Sequence, residues 1–206
     1  MARSTTLYSC QGCGATAPKW AGKCDACGAW NSLVEERVEK QTGKGAKSTG
    51  RSIDLTPLSD APSAQKVMRL ATGMAEFDRV TGGGLVPGSA LLIGGDPGIG
   101  KSTLLLQLVT KLAAAGRNTA YITGEESADQ VRMRAARLGV ASVPAGLATA
   151  TNAADIAETV RKDTTLDLVV IDSIQTMYLP GLDSAPGTVS QVRASAHELI
   201  RAAKVS

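Results

Sequence analysis

The stretch Ala90-Leu-Leu-Ile-Gly-Gly-Asp-Pro-Gly-Ile-Gly-Lys-Ser102-Thr103 decides the fold. Its core, Gly95 to Ser102, fits G-x-x-x-x-G-K-[ST] at every required position. It also stands between a short apolar run and an amphipathic segment, where a phosphate-binding loop belongs, between a strand and a helix. Glycines let backbone N–H groups turn inward around phosphate oxygens, and the following helix adds the positive end of its dipole. Gly95, Asp96, Pro97, Gly98, Ile99, Gly100, Lys101, Ser102 and Thr103 are the expected nucleotide contacts. Lys101 is suited to the β- and γ-phosphates of ATP, and the Ser102 hydroxyl to Mg²⁺.

Reading outward, strands alternate with helices. Ala90–Ile93 reads as a short buried strand and Lys101–Ala115 as a helix stopped at Gly116. Thr119–Ile122 is the next strand. Ser127 with Gln130 forms a capping box that opens a helix to Leu138. Leu147–Thr149 reads as a strand, Asn152 opens a helix to Lys162, and Leu166–Ile171 is a strongly apolar strand. A final helix is expected over Val189–Lys204, with Val192, Ala196, Leu199, Ile200 and Ala203 on one face. Such alternation predicts an α/β fold with a parallel sheet covered on both sides.

Two acidic positions fall at strand ends. Asp172 closes the run Leu168-Val-Val-Ile171, as a Walker B aspartate does, and is expected to hold Mg²⁺. Glu125 and Glu126 follow Thr119–Ile122 across Gly124. A carboxylate there can orient the water that attacks the γ-phosphate, or can simply favour the next helix N-terminus. Glu125 is placed ahead of Glu126 for the water. His197, the sole histidine, sits on a helix with no second ligand nearby and reads as a surface residue.

The N-terminal region has different chemistry. All four cysteines lie in two Cys-x-x-Cys pairs, Cys10 with Cys13 and Cys24 with Cys27. With no signal segment, reduced thiolates around one metal fit better than disulfides. Four thiolates select Zn²⁺, with iron the alternative. Trp20 and Trp30 flank the second pair and are expected to pack its small core, with base stacking the other reading. Glu35–Lys66 is polar and rich in Lys, Gly, Ser and Thr, a composition that predicts a mobile linker. The expected organisation is therefore a four-cysteine zinc ribbon over 1–34, a linker over 35–66 and an ATPase domain over 67–206.

Composition sets outer bounds. The 206 residues are 43% hydrophobic but only 3% aromatic, so the core must be aliphatic. The net charge of +3 is too mild to prove a nucleic-acid partner. Residues 1–51 carry eight basic and four acidic side chains. A zinc tetrathiolate adds a net −2 and leaves that region at about +2. No stretch approaches the length of a membrane span, so a soluble cytoplasmic protein is expected.

Together these residues resemble the bacterial RadA (Sms) family. The resemblance is carried by Tyr8-Ser-Cys-Gln-Gly-Cys-Gly14, Pro18-Lys-Trp-Ala-Gly-Lys-Cys-Asp-Ala-Cys-Gly28 and Trp30-Asn-Ser32. It continues through Gly73, Glu76-Phe-Asp-Arg79, Gly82-Gly-Gly-Leu-Val-Pro-Gly-Ser89, the phosphate loop, Tyr121-Ile-Thr-Gly-Glu-Glu-Ser127 and Asp172-Ser-Ile-Gln-Thr176. It implies a RecA-like core and a DNA-dependent ATPase of repair and recombination. Its expected partners are DNA, single-stranded or branched, and the RecA recombinase, with a homo-oligomeric ring driving branch migration. It also places Glu125 at the water-activating position. The family's Lys-Asn-Arg-Phe-Gly motif is absent, since the only phenylalanine is Phe77, and the chain resembles the N-terminal part of such proteins. A RecA-like core also implies a further strand between the phosphate-loop strand and the Walker B strand. None follows the final helix before Ser206, so the core is expected to be incomplete, with both strand edges exposed. Left open are another RecA-like ATPase, and a zinc-dependent binding module whose phosphate loop only senses nucleotide.

Overall fold

The computed structural model describes residues 4–10, 15–39, 55, 57 and 68–205. Cys13 and most of the segment read as a linker lie outside the described residues.

The cysteine region is a small antiparallel sheet. Strand β1 (Ser4–Cys10) lies between β2 (Thr16–Ala17) and β3 (Leu33–Glu39). Register pairs Tyr8 with Ala17 on one side and Cys10 with Leu33 on the other. Strand β3 thus carries the sheet to Glu39, past residue 34. The two cysteine turns repeat one backbone bond: Cys10 N–H donates to the Ala15 carbonyl at 2.8 Å and Cys24 N–H to that of Ala29 at 2.9 Å. The core consists of Cys10, Cys24 and Leu33, with Tyr8, Ala15, Ala17 and Ala21 packed against it. So little apolar volume cannot offset the entropy of ordering the segment. Trp20 and Trp30, expected in this core, stand outside it, 58% and 72% exposed. The residues packed there are two cysteines, one leucine, one tyrosine and three alanines, a cluster with little volume to receive an indole.

The larger region opens with residues 68–89. Leu70 and Leu85 form an antiparallel bridge around the short helix α1 (Ala75–Val80). The Asp78 carboxylate accepts from the Thr72 N–H at 2.9 Å, the Thr72 hydroxyl at 2.7 Å and the Gly73 N–H at 3.2 Å. At Gly84, φ is +119° and a Cβ would sit 2.5 Å from the Leu70 carbonyl oxygen. Only glycine fits that crossing.

Beyond it lies the expected α/β alternation: α2 (Lys101–Ala114), β4 (Thr119–Thr123), α3 (Ala128–Arg137), β5 (Gly146–Thr149), α4 (Ala153–Lys162), β6 (Leu168–Asp172) and α5 (Val189–Val205). The sheet order is β5-β4-β6, all parallel, with Thr119 opposite Leu168 and Thr123 opposite Asp172. Side-chain alternation buries both faces. Leu106 and Val109 of α2 pack with Tyr121, Val131 and Val170 on one side. Ile122 packs with Ala153, Ile156 and Met177 on the other, with Leu199 of α5 against them. The caps are those the sequence specifies. Gln130 N–H donates to Ser127 Oγ, Ser127 N–H donates to the Gln130 side chain, and Asn152 accepts from Ala154 N–H.

One expected element differs. Ala90–Ile93 is not in a strand, and Leu91 and Leu92 are 55% and 87% exposed. Among the described residues β6 has no neighbour on its outer edge. A strand exists only where a second backbone takes its hydrogen bonds. Without one beside it, this apolar run remains irregular. No helix among the described residues is long and apolar enough to cross a membrane.

Candidate functional site

The chain leaves Ile93 and turns through Gly95, Gly98 (φ +79°) and Gly100 (φ +101°) before entering α2 at Lys101. Gly100 is the N-cap residue and lacks a capping side chain. The first amides of α2 are therefore not claimed by a cap, which is the arrangement that receives phosphate oxygens. Lys101 Nζ donates to the carbonyls of Gly95 at 2.7 Å and Asp96 at 2.8 Å, which holds its charge over the loop. Ser102 and Thr103 follow on the first turn, half-buried, and Ile99 projects to solvent.

The sheet edge carries the acidic groups. The Gly124 N–H donates to the Asp172 carbonyl at 3.0 Å, which ties the ends of β4 and β6 together. Thr123 Oγ1 accepts from the Glu125 N–H at 3.3 Å and the Glu126 N–H at 3.0 Å, so the turn is tightly wound. Gly124 leaves no room for a side chain, since a Cβ would lie 2.2 Å from Thr176 Oγ1. Thr176 in turn donates to the Ser173 carbonyl at 2.9 Å.

The two glutamates have different partners. Glu125 is exposed, and its carboxylate accepts from the Ser173 hydroxyl at 2.5 Å, beside Asp172. Glu126 turns back and pairs with Arg134 of α3, whose side chain is 14% exposed. The latter pair fixes α3 against the strand end, while Glu125 stays open to solvent with one oxygen oriented. The Asp172 carboxylate accepts from the hydroxyl of Tyr121, itself 1% exposed. Burial, and then the Asp172 bond, push the Tyr121 phenol far above its usual range, so it remains a proton donor. Arg134 also reaches the Tyr121 oxygen at 3.5 Å. Beside this cluster, Thr123 to Ala128 and Thr149 to Thr151 line an open depression at the C-terminal ends of β4 and β5. Parallel sheets place their chemistry at that edge.

Glu125 and Asp172 thus share one corner of the sheet, one through Ser173 and the other through Tyr121. The phosphate loop enters α2, which packs on that same sheet. Residue-by-residue reading missed Tyr121, Arg134 and Ser173. Tyr121 and Ser173 do stand inside the two stretches that carried the family resemblance, so the signal was a motif without an assigned role.

The sulfurs of Cys10, Cys24 and Cys27 lie within 4.8 Å of one another, and Cys10 and Cys27 are 3.6 Å apart. Tetrahedral zinc with four thiolates sets sulfur–sulfur edges of about 3.8 Å. The described residues therefore fit three corners of such a site; Cys13, the fourth expected ligand, lies outside them. Ser32 Oγ accepts from Cys10 Sγ at 3.2 Å.

Comparison with known proteins agrees with both halves. Residues 70–144 match the KaiC-type ATPase family, and residues 8–35 match a rubredoxin-type metal-binding domain of the zinc-ribbon class. A DNA repair protein RadA of Brucella abortus (strain 2308) is 51% identical over 99% of this chain and 45% of its own length. Its counterpart in Pseudomonas aeruginosa (strain PAO1) is 49% identical over 100% of this chain and 45% of its own. That of Bacillus subtilis (strain 168) is 42% identical over 99% and 45%. The chain spans less than half the length of these curated relatives.

Proposed function

We propose, for a chain that belongs with the RadA family of DNA repair proteins, that it binds and hydrolyses ATP in a DNA-dependent reaction of repair and homologous recombination. The observation that supports this best is the division of labour at the sheet edge. Glu125 is open and oriented by Ser173, while Glu126 is committed to Arg134.

In this reading the loop from Gly95 to Thr103 holds the triphosphate through its backbone amides. Lys101 supplies positive charge where the β- and γ-phosphates concentrate negative charge. Ser102 and Asp172 hold Mg²⁺, which when bound neutralises charge on the phosphate oxygens. Glu125 orients a water and takes its proton as the water oxygen bonds to the γ-phosphorus. The bond from that phosphorus to the bridging oxygen breaks, and ADP and phosphate leave. Asp172 keeps its orientation through Tyr121.

The finer functional reading comes from kinship. The DNA is single-stranded or branched, RecA is a partner in the cytoplasm, and a homo-oligomeric ring drives branch migration. A zinc ribbon, a linker and an ATPase domain are the proposed working parts, expected over 1–34, 35–66 and 67–206 but with β3 extending the ribbon's sheet to Glu39, and with Zn²⁺ held by Cys10, Cys13, Cys24 and Cys27.

ATP turnover with and without single-stranded DNA is the test, with Lys101→Ala as the control. DNA-stimulated turnover that Lys101→Ala abolishes is expected. Nucleotide binding without turnover under either condition would favour the nucleotide-sensing module instead.

A further inference from the structure

The chain's two tryptophans, Trp20 and Trp30, are both exposed on the cysteine module. Two large aromatic rings in solvent are costly to leave uncovered and mark a surface that meets something. They border one shared space. A Cβ built on Gly22 would lie 3.9 Å from Trp20 Cη2 and 4.0 Å from Trp30 Cζ3. The missing side chain at Gly22 therefore leaves a notch beside both indoles.

The backbone beneath is fixed. Trp30 pairs with Lys23 in an antiparallel bridge, and the Asn31 N–H donates to the Gly22 carbonyl at 2.8 Å. Lys23 Nζ stands 5.6 Å from the Trp30 ring centroid, and Lys19 is exposed beside Trp20. One acid, Asp25, lies on the same loop. Aromatic rings with one ammonium group over Trp30 and another on the residue next to Trp20 suit a ligand that presents flat apolar faces and negative charge together. A base on its phosphate backbone is such a ligand, and stacking is tolerant of sequence. An apolar protein partner would leave both ammonium groups desolvated without a counter-charge.

We infer that Trp20 and Trp30, flanked by Lys19 and Lys23, form a stacking platform for single-stranded nucleic acid. The inference rests on the DNA-dependence proposed above and deepens it by naming a contact surface outside the nucleotide site.

Because the chain has no other tryptophan, its indole emission reports on this surface alone. Two readouts are run in parallel: indole emission during titration with oligothymidylate, and anisotropy of a dye-labelled oligothymidylate. Emission should be quenched along the same curve as the anisotropy rises. Trp30→Ala and Trp20→Ala should each weaken binding about tenfold or more. Trp30→Phe, which keeps a flat ring, should retain most of the affinity. Zinc content equal to that of the parent chain shows that each variant still folds. Binding by anisotropy with unquenched indoles, or with affinity untouched by either alanine variant, overturns the platform while leaving DNA-dependence standing; the rings then belong to a protein contact. No binding by either readout overturns both.

Discussion

The hydroxyl of Tyr121 on β4 donates to the carboxylate of Asp172 on β6. Tyr121 is in register with Val170, so the ring reaches diagonally along the sheet face to a residue two positions further on. The aspartate proposed to hold Mg²⁺ is thereby fixed from within the core, by a group that α3 also touches through Arg134. Tyr121→Phe keeps the packing and removes the donor. It should lower stability by about 1 kcal/mol and raise the Mg²⁺ concentration needed for half-maximal ATP turnover. Thermal unfolding and an Mg²⁺ titration read the two effects separately. An unchanged Mg²⁺ requirement would reduce Tyr121 to a packing residue.

Glu125→Gln and Glu126→Gln should part company. The first keeps ATP binding and slows hydrolysis roughly 10²-fold or more, as loss of a positioned base does. The second removes the partner of a mostly buried guanidinium and should cost about 1–2 kcal/mol of stability, with a smaller effect on turnover. Normal turnover by Glu125→Gln would move the water-orienting role elsewhere.

Cys24→Ser should lose zinc and unfold the β1–β3 sheet, because its core is too small to stand without metal. The unfolding transition of the ATPase region should remain. Cys13→Ser, outside the described residues, should do the same if Cys13 is the fourth ligand. Zinc analysis of the purified variants decides it: one zinc retained per chain in Cys24→Ser would overturn the assignment.

Asp78 provides the pH dependence. Its carboxylate is held below the ordinary range by the Thr72 backbone bond first, then by the Thr72 hydroxyl and the Gly73 amide. A depressed folded value means that the stabilisation is fully present above the unfolded value of about 3.9 and is lost as pH falls through the folded value. Segment 68–89 should therefore hold at neutral pH and loosen only below about pH 4. Asp78→Asn should loosen it at every pH. Limited proteolysis across pH checks this, and a variant as resistant as the parent at pH 7 would refute the anchoring role.

What could be read in the chain was local. Ser127 with Gln130, Asn152, and Gly116 after α2 carry their instructions within a few residues, and the structure follows them. The cysteine spacing likewise needs no distant partner to suggest its geometry. What could not be read was non-local. Tyr121 and Asp172 are 51 positions apart, and nothing in either segment announces their bond. Helix α1 has too few turns for a periodic signal and is anchored through Asp78. Ala90–Ile93 has the composition of a buried strand, but pairing depends on a neighbour that its own residues cannot specify. Apolar character alone points Trp20 and Trp30 inward, but the core on offer has only Cys10, Cys24 and Leu33 as its buried residues, and both rings stay exposed.

The unequal standing of the three parallel strands bears on how their amides trade hydrogen with solvent. Strand β4 is bonded on both sides, so its N–H groups open only when the sheet itself does. Those of β6 that point away from β4 have no bonded neighbour among the described residues. Deuterium uptake should accordingly run as a gradient across the sheet, slowest at Tyr121 and Ile122, and faster at the alternate amides of β6. A ligand or chain segment that later occupied the outer side of β6 would reveal itself by slowing those amides alone.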